Sequence, residues 1–297
     1  MISNYITKTY PNHQSIATGF YEENHGIVSN HFYDPRYNQT FDIDKSPDYW
    51  WTEWPVTPVW TVNQLYGQSS GVMQWPGAHV RYRDQSPRYL QNYNHSIPWN
   101  TRIDTMIGWL TDGRAPASCV FAYFDEPDAT SHEFGPFSTQ TYSQVLRADA
   151  VIRYLLQRLD EKSLLNQTNL IILANRVINL NDILDPSWYD WYGGSPNWSI
   201  LPKPGHYDKI YEILWKASQT MPFTIYKRQE IPEHYHYSRN RRILPLFLVA
   251  DEGWDVFQNV SQVHKPKGWP VWGNHGWDNR LLSMRPLFMA NGPAFKS

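Results

Sequence analysis

A chain of 297 residues is long enough to bury a large core and falls in the range of a single α/β or barrel domain. Its 26 Lys+Arg against 28 Asp+Glu leave a net charge of −2, which excludes a global basic field for gripping a nucleic-acid duplex or an anionic membrane surface. Cys119 is the only cysteine, which excludes an intrachain disulfide. The first expected element is a short helix with Pro11 at its first position, within Thr7-Lys8-Thr9-Tyr10-Pro11-Asn12-His13. A threonine hydroxyl at such an N-terminus meets the positive end of the helix dipole and suits a phosphate, although an ordinary threonine cap has the same pattern. Residues 47–58 and 186–204 read as ordered loops rich in proline and aromatic side chains. The apolar run 119–124 reads as a buried strand that ends at the acidic cluster Asp125, Glu126 and Asp128, with Cys119 as a small core residue. Val145, Ala148, Ile152, Leu155 and Leu159 recur at three- and four-residue steps, so 141–159 reads as an amphipathic helix. Residues 170–173 form the next strand-like run. A second helical pattern covers 207–219 through Ile210, Ile213, Leu214 and Ala217, and 243–250 reads as a further buried strand.

Short apolar strands alternating with amphipathic helices imply an α/β fold, a parallel or mixed sheet covered on both faces. Such sheets place ligands beyond the carboxyl ends of their strands, so a site is expected just after Phe124. Asp128 and His132 stand four residues apart there, and His275 follows far downstream in Gly273-Asn274-His275-Gly276. A carboxylate with two histidines is a common donor set for zinc, while surface or loop histidines give the same pattern. Trp50, Trp51 and Trp60 flank a proline-rich loop, where they are placed either to stack on a base or to pack the loop. Asn-X-Ser/Thr sequons at Asn38, Asn94, Asn166, Asn197 and Asn259 fit glycosylation in a secretory compartment. The longest apolar stretch, 243–250, is far shorter than the roughly 20 residues a bilayer requires, and Ser3, Asn4 and Thr7 do not make a signal peptide. The sequence as written is therefore expected to carry neither an address nor a transmembrane anchor.

Several longer blocks resemble the nucleotide pyrophosphatase/phosphodiesterase family of the alkaline phosphatase superfamily. They are the Thr7–His13 segment quoted above, Thr18-Gly19-Phe20-Tyr21-Glu22-Glu23-Asn24-His25-Gly26-Ile27-Val28-Ser29-Asn30, Trp75-Pro76-Gly77, Arg102-Ile103-Asp104-Thr105-Met106-Ile107-Gly108-Trp109-Leu110, Glu126-Pro127-Asp128 with His132, Val249-Ala250-Asp251-Glu252-Gly253-Trp254 and Gly273-Asn274-His275-Gly276-Trp277-Asp278-Asn279. The blocks run in family order from Thr7 to about Phe295. The resemblance implies one phosphodiesterase-like catalytic domain over 1–297, built as a three-layer sheet with helices on both faces. It implies that Thr9 is the nucleophile, that Asn30 holds a non-bridging phosphate oxygen, and that Asp128, His132 and His275 bind one zinc. The implied partner is a nucleotide or other phosphodiester small molecule, and the implied location is an extracellular or membrane-anchored ectodomain. His236 also falls in a family block and is assigned a structural role.

The sequence departs from the family at its second zinc. Only eight residues precede Thr9, so the strand that bears the first aspartate of that site in the family is expected to be missing, and Leu173 is followed by Ala174-Asn175-Arg176-Val177 rather than Ser-Asp-His-Gly. A short deletion explains this better than substitution of both ligands by Asn175 and Arg176. The family domain also continues past Gly292-Pro293-Ala294-Phe295, so the domain is expected to be truncated at both ends. Three functions follow from the sequence: an impaired one-zinc hydrolase, a pseudoenzyme or nucleotide-binding module, and a fragment or alternative product of an active family member.

Overall fold

The computed structural model describes residues 4–42, 48–174, 186–256 and 274–295. The chain divides into two compact units with interleaved segments: a first unit of Ile2–Val56 with Asn175–Arg285, and a second of Thr57–Ala174 with Pro286–Ser297.

The first unit begins with helix α1 (Thr9–Thr18), which starts after Lys8 in extended conformation. It stops at Gly19, whose left-handed φ of 75° lets its N–H donate to the Ser15 carbonyl. The short helix α2 (Glu22–His25) ends the same way at Gly26, where a Cβ would lie 2.4 Å from the Trp54 ring, so space as well as φ requires glycine. A hairpin of β1 (His31–Asp34) and β2 (Gln39–Asp42) follows, then α3 (Tyr49–Thr52).

Arg242 holds this region together. It is fully buried and donates through Nε to Asp34 (2.7 Å), through Nη2 to Glu53 (2.8 Å), and through Nη1 to the carbonyls of Gly26 (2.8 Å) and Trp50 (3.1 Å). Trp54, Trp50 and Phe32 surround its guanidinium at 4.3, 4.9 and 5.1 Å. Burial alone would raise the Asp34 carboxyl, but the hydrogen bonds from Arg241, Arg242 and the Arg36 amide outweigh it and hold Asp34 below the usual carboxylate range.

The second unit carries α4 (Val59–Leu65), β3 (Ser69–Met73), β4 (Tyr89–Gln91), α5 (Trp99–Leu110), β5 (Ala117–Ala122), α6 (Asp128–Phe134), α7 (Thr139–Glu161) and β6 (Leu170–Ala174). Strands β4, β3 and β5 form a parallel sheet in that order. Trp99, Ile103, Met106 and Ile107 of α5 share a core with Met73, Val151 and Leu159.

The chain then returns to the first unit with β7 (Tyr189–Gly194), β8 (Asn197–Pro202), α8 (Tyr207–Ser218), β9 (Phe223–Lys227) and β10 (Leu246–Ala250). These strands form an antiparallel sheet in the order β7-β8-β10-β9, and α8 adds Ile210 and Leu214 to its core. The last strand, β11 (Leu287–Asn291), pairs antiparallel with β6 in the second unit.

Most expected elements are present with shifted ends. The helix read over 141–159 begins at Thr139, and its buried stripe includes Val151 while Val145 is 46% exposed. Within the run 243–250, Ile243 and Leu244 are buried outside any strand, and β10 starts only after Pro245, which lacks the N–H a ladder needs. The stretch 186–204, read as a loop, contains the β7–β8 hairpin. Cys119 lies on β5 and is half-buried rather than buried. The described strands pair into four sheets.

Candidate active site

Thr9 is the first residue of α1, at the positive end of a ten-residue helix. The Oδ1 of Asn30 accepts the backbone N–H of Tyr10 at 2.9 Å, which fixes the asparagine amide against the turn that carries Thr9. With Oδ1 engaged, Nδ2 is the atom able to donate to an anion. Pro11, expected at the first helical position, is the third residue of the helix.

His275 lies in the same unit, 5% exposed, with Nδ1 2.5 Å from the Thr7 carbonyl. A carbonyl only accepts, so the imidazole carries its proton on Nδ1 and presents its lone pair at Nε2, the state of a metal-ligating histidine held by a backbone acceptor. Around it is a buried polar cluster. Asn274 accepts the His275 N–H at 2.9 Å and donates through Nδ2 to Asp255 (2.5 Å) and to the Ser195 carbonyl (3.1 Å). Ser195 Oγ donates to Asp255 and accepts the Val256 N–H at 2.9 Å, and Lys8 Nζ donates to the Ser195 carbonyl. Burial pushes the Asp255 carboxyl up to about 7, against the pull of Ser195, Lys8 and Asn274. Gly276 follows at φ 133°, and a Cβ there would lie 2.7 Å from Pro196 and 2.9 Å from the Lys8 side chain.

In the second unit the acidic segment follows β5, beyond the carboxyl end of the parallel sheet, as the sequence implies. Its carboxylates have separate uses. Asp125 accepts the Tyr93 hydroxyl at 2.8 Å, and Glu126 accepts the Thr130 N–H and hydroxyl at 2.9 and 2.8 Å, tying down the first turn of α6. Asp128 opens α6, and His132 is one turn on, its Nε2 3.6 Å from Asp128 Oδ1. Two donors about 2.0–2.2 Å from a tetrahedral zinc stand roughly 3.4 Å apart, so this pair has the spacing of two ligands of one ion. Both side chains are partly exposed, 41% for His132 and 38% for Asp128.

The three tryptophans are core residues. Trp50, Trp51 and Trp60 are at most 1% exposed. Trp50 packs against Phe32, Phe41 and Tyr49, Trp51 against Phe41, and Trp60 against Phe121. Of the two uses open to them, stacking on a base and packing, their burial favours packing. His236 stacks on Tyr21 at 4.0 Å, in keeping with a structural role. Among the sequons, Asn38, Asn94 and Asn166 are exposed, but Asn197 is 1% exposed and its Nδ2 donates to the Gly276 carbonyl, so the folded chain cannot carry a glycan there. Asn259, and the Asn175 and Arg176 that stand where the second zinc ligands were sought, lie outside the described residues.

The chain matches the type I phosphodiesterase / nucleotide pyrophosphatase family over residues 1–278 and belongs to that family. It is 38% identical to human ectonucleotide pyrophosphatase/phosphodiesterase family member 5 over 98% of this chain and 61% of that protein. It is 39% identical to human bis(5'-adenosyl)-triphosphatase ENPP4 over 98% of this chain and 64% of that protein. The chain thus spans less than two thirds of these curated relatives. Among solved structures, murine ectonucleotide pyrophosphatase/phosphodiesterase 5 superposes with a TM-score of 0.90 at 38% identity, covering 100% of this chain and 80% of that one. An inactive variant of the murine protein in complex with AMP matches equally well, with a TM-score of 0.90. The fold is therefore the α/β alkaline-phosphatase-like fold that the sequence blocks imply.

Proposed function

We propose that this chain is a metal-dependent hydrolase of nucleotide phosphodiester or pyrophosphate bonds, with Thr9 as nucleophile and Asn30 as phosphate-binding residue. The observation that carries this reading is Thr9 at the head of α1 with the Asn30 amide fixed on the neighbouring N–H. The Thr9 hydroxyl oxygen attacks phosphorus as its proton passes to water, the bond to the leaving oxygen breaks with its electron pair and that oxygen takes up a proton from water, and the substituted phosphoryl group resides on Thr9 until a water molecule displaces it and returns the proton to Thr9. Asn30 Nδ2 and the positive end of α1 stabilise the charge that develops on the phosphate oxygens. Asp128, His132 and His275 are the zinc ligands of this reading: the first two have the separation of donors to one ion, and the third has the tautomer of a ligand. When bound, zinc supplies Lewis-acid polarisation of the phosphate. The relatives' names support a nucleotide substrate and an outward-facing site.

A second reading, a nucleotide-binding protein without turnover, is favoured by one feature: β6 leads into Ala174-Asn175-Arg176 with no aspartate or histidine to hold another metal. Hydrolysis of a chromogenic nucleotide diester separates the two. Turnover that Thr9→Ala lowers by at least a thousandfold supports the enzyme. Turnover untouched by Thr9→Ala overturns it, and AMP binding with no turnover in the parent chain establishes the second reading.

A further inference from the structure

The polar cluster beside His275 has a function that neither the nucleophile nor the zinc ligands explain. Asp255 is 1% exposed and comes from the segment after β10, far in sequence from both Thr9 and His275. Its Oδ1 receives the Ser195 hydroxyl and the Asn274 amide. An asparagine amide has two ends, and only the end held by a carboxylate is certain to be the donor. With Nδ2 turned towards Asp255 and the Ser195 carbonyl, Oδ1 faces the His275 N–H and accepts it at 2.9 Å. That bond fixes the backbone from which the His275 ring reaches the Thr7 carbonyl. The Ser195 carbonyl also receives Lys8 Nζ, and Lys8 immediately precedes Thr9. One carboxylate therefore sits at the junction of two chains of hydrogen bonds, one ending at a zinc ligand and the other at the residue before the nucleophile.

We infer that Asp255, acting through Asn274, is a positioning residue that orients His275 for zinc and anchors the Lys8–Thr9 segment. The Asp255 carboxylate accepts from Ser195 and Asn274 and is placed to act through them. Loss of a hydrogen-bonding partner behind a metal-bound histidine typically weakens metal binding 10–100-fold, because the ligand must then be ordered when the metal binds. The inference rests on the zinc reading above, so its test reads zinc directly.

Zinc affinity of the full chain is measured by competition with a chromogenic chelator, beside the melting temperature of the metal-free protein. Asp255→Ala and Asn274→Ala are expected to weaken zinc about 10–100-fold. Asp255→Asn keeps an oxygen acceptor of the same shape and is expected to stay within about threefold of the parent, a rescue that a general packing defect would not give. Asn274 is only half-buried, so its variant carries the test if Asp255→Ala does not fold. Parent-like zinc affinity in Asn274→Ala, or in a folded Asp255→Ala, overturns the inference and leaves the zinc reading intact. An Asp255→Asn variant as weak as Asp255→Ala also overturns it. A parent chain that binds no zinc overturns both.

Discussion

His25 has both ring nitrogens engaged inside the first unit: Nδ1 accepts the Ile27 N–H at 3.1 Å, and Nε2 pairs with Ser15 Oγ at 2.8 Å. It is fully buried, and burial lowers its pKa to about 3. The folded chain therefore holds this imidazole neutral, while the unfolded chain protonates it below its ordinary value of about 6.5. The stability it contributes is complete above pH 6.5 and is lost as pH falls towards 3, by about 1.4 kcal/mol per unit at the steepest and about 2 kcal/mol by pH 5. Glu22 acts in the opposite sense: burial raises its carboxyl, so its ionisation costs stability as pH rises past the ordinary carboxylate range. The parent minus a His25→Asn variant isolates the imidazole. Urea unfolding from pH 5 to 7.5 should show this difference shrinking as pH falls, and a difference constant across that range would rule out a buried neutral His25.

Helix α7 depends on its start. Ser138 is its N-cap, with Oγ accepting the Thr141 N–H at 3.1 Å and donating to the Gly135 carbonyl at 2.9 Å. Ser138→Ala should cost about 1 kcal/mol, read as a lower urea midpoint with unchanged slope. A midpoint within error of the parent would show that neighbouring packing alone holds the helix end. Helices of this kind were legible in the sequence because their apolar residues recur locally, as Ile210 and Leu214 of α8 also do. Strands β7 and β8 were hidden. Their aromatic and proline content resembles a loop, and only pairing with β10, more than forty positions away, makes β8 a central strand. The site followed the same division. Thr9, Asn30, Asp128, His132 and His275 stood out within recognisable blocks, whereas Asp255 and Ser195 gave no local signal because their partners lie 19 to 61 positions distant. The indoles of Trp50, Trp51 and Trp60 left two uses open for a related reason: sequence shows that a ring is present and not which of its faces are covered.

At the scale of the whole molecule, metal binding and stability are linked. A zinc that binds only the folded chain adds about 2.7 kcal/mol when supplied at a hundred times its dissociation constant. For a chain of this length that corresponds to a melting temperature several degrees higher. Zinc should raise the transition, a strong chelator should reverse the rise, and His275→Ala should abolish it. A transition that ignores both zinc and chelator would count against the proposed ligands. No helix among the described residues is long and apolar enough to cross a membrane, and the net charge of −2 leaves capture of an anion to local groups.

The bond from the Thr7 hydroxyl to the Trp277 carbonyl joins residues 270 positions apart. At about 5–20 residues per second, a ribosome takes roughly 15–55 s to travel between them. Thr9 is made at the start of that interval, Ser195 well into its second half, and Asp255 and Asn274 near its end. A ten-residue helix is too short to persist alone in water. The segment carrying Thr9 therefore gains its tether from Thr7 to the Trp277 carbonyl only when nearly all of the described chain has been made.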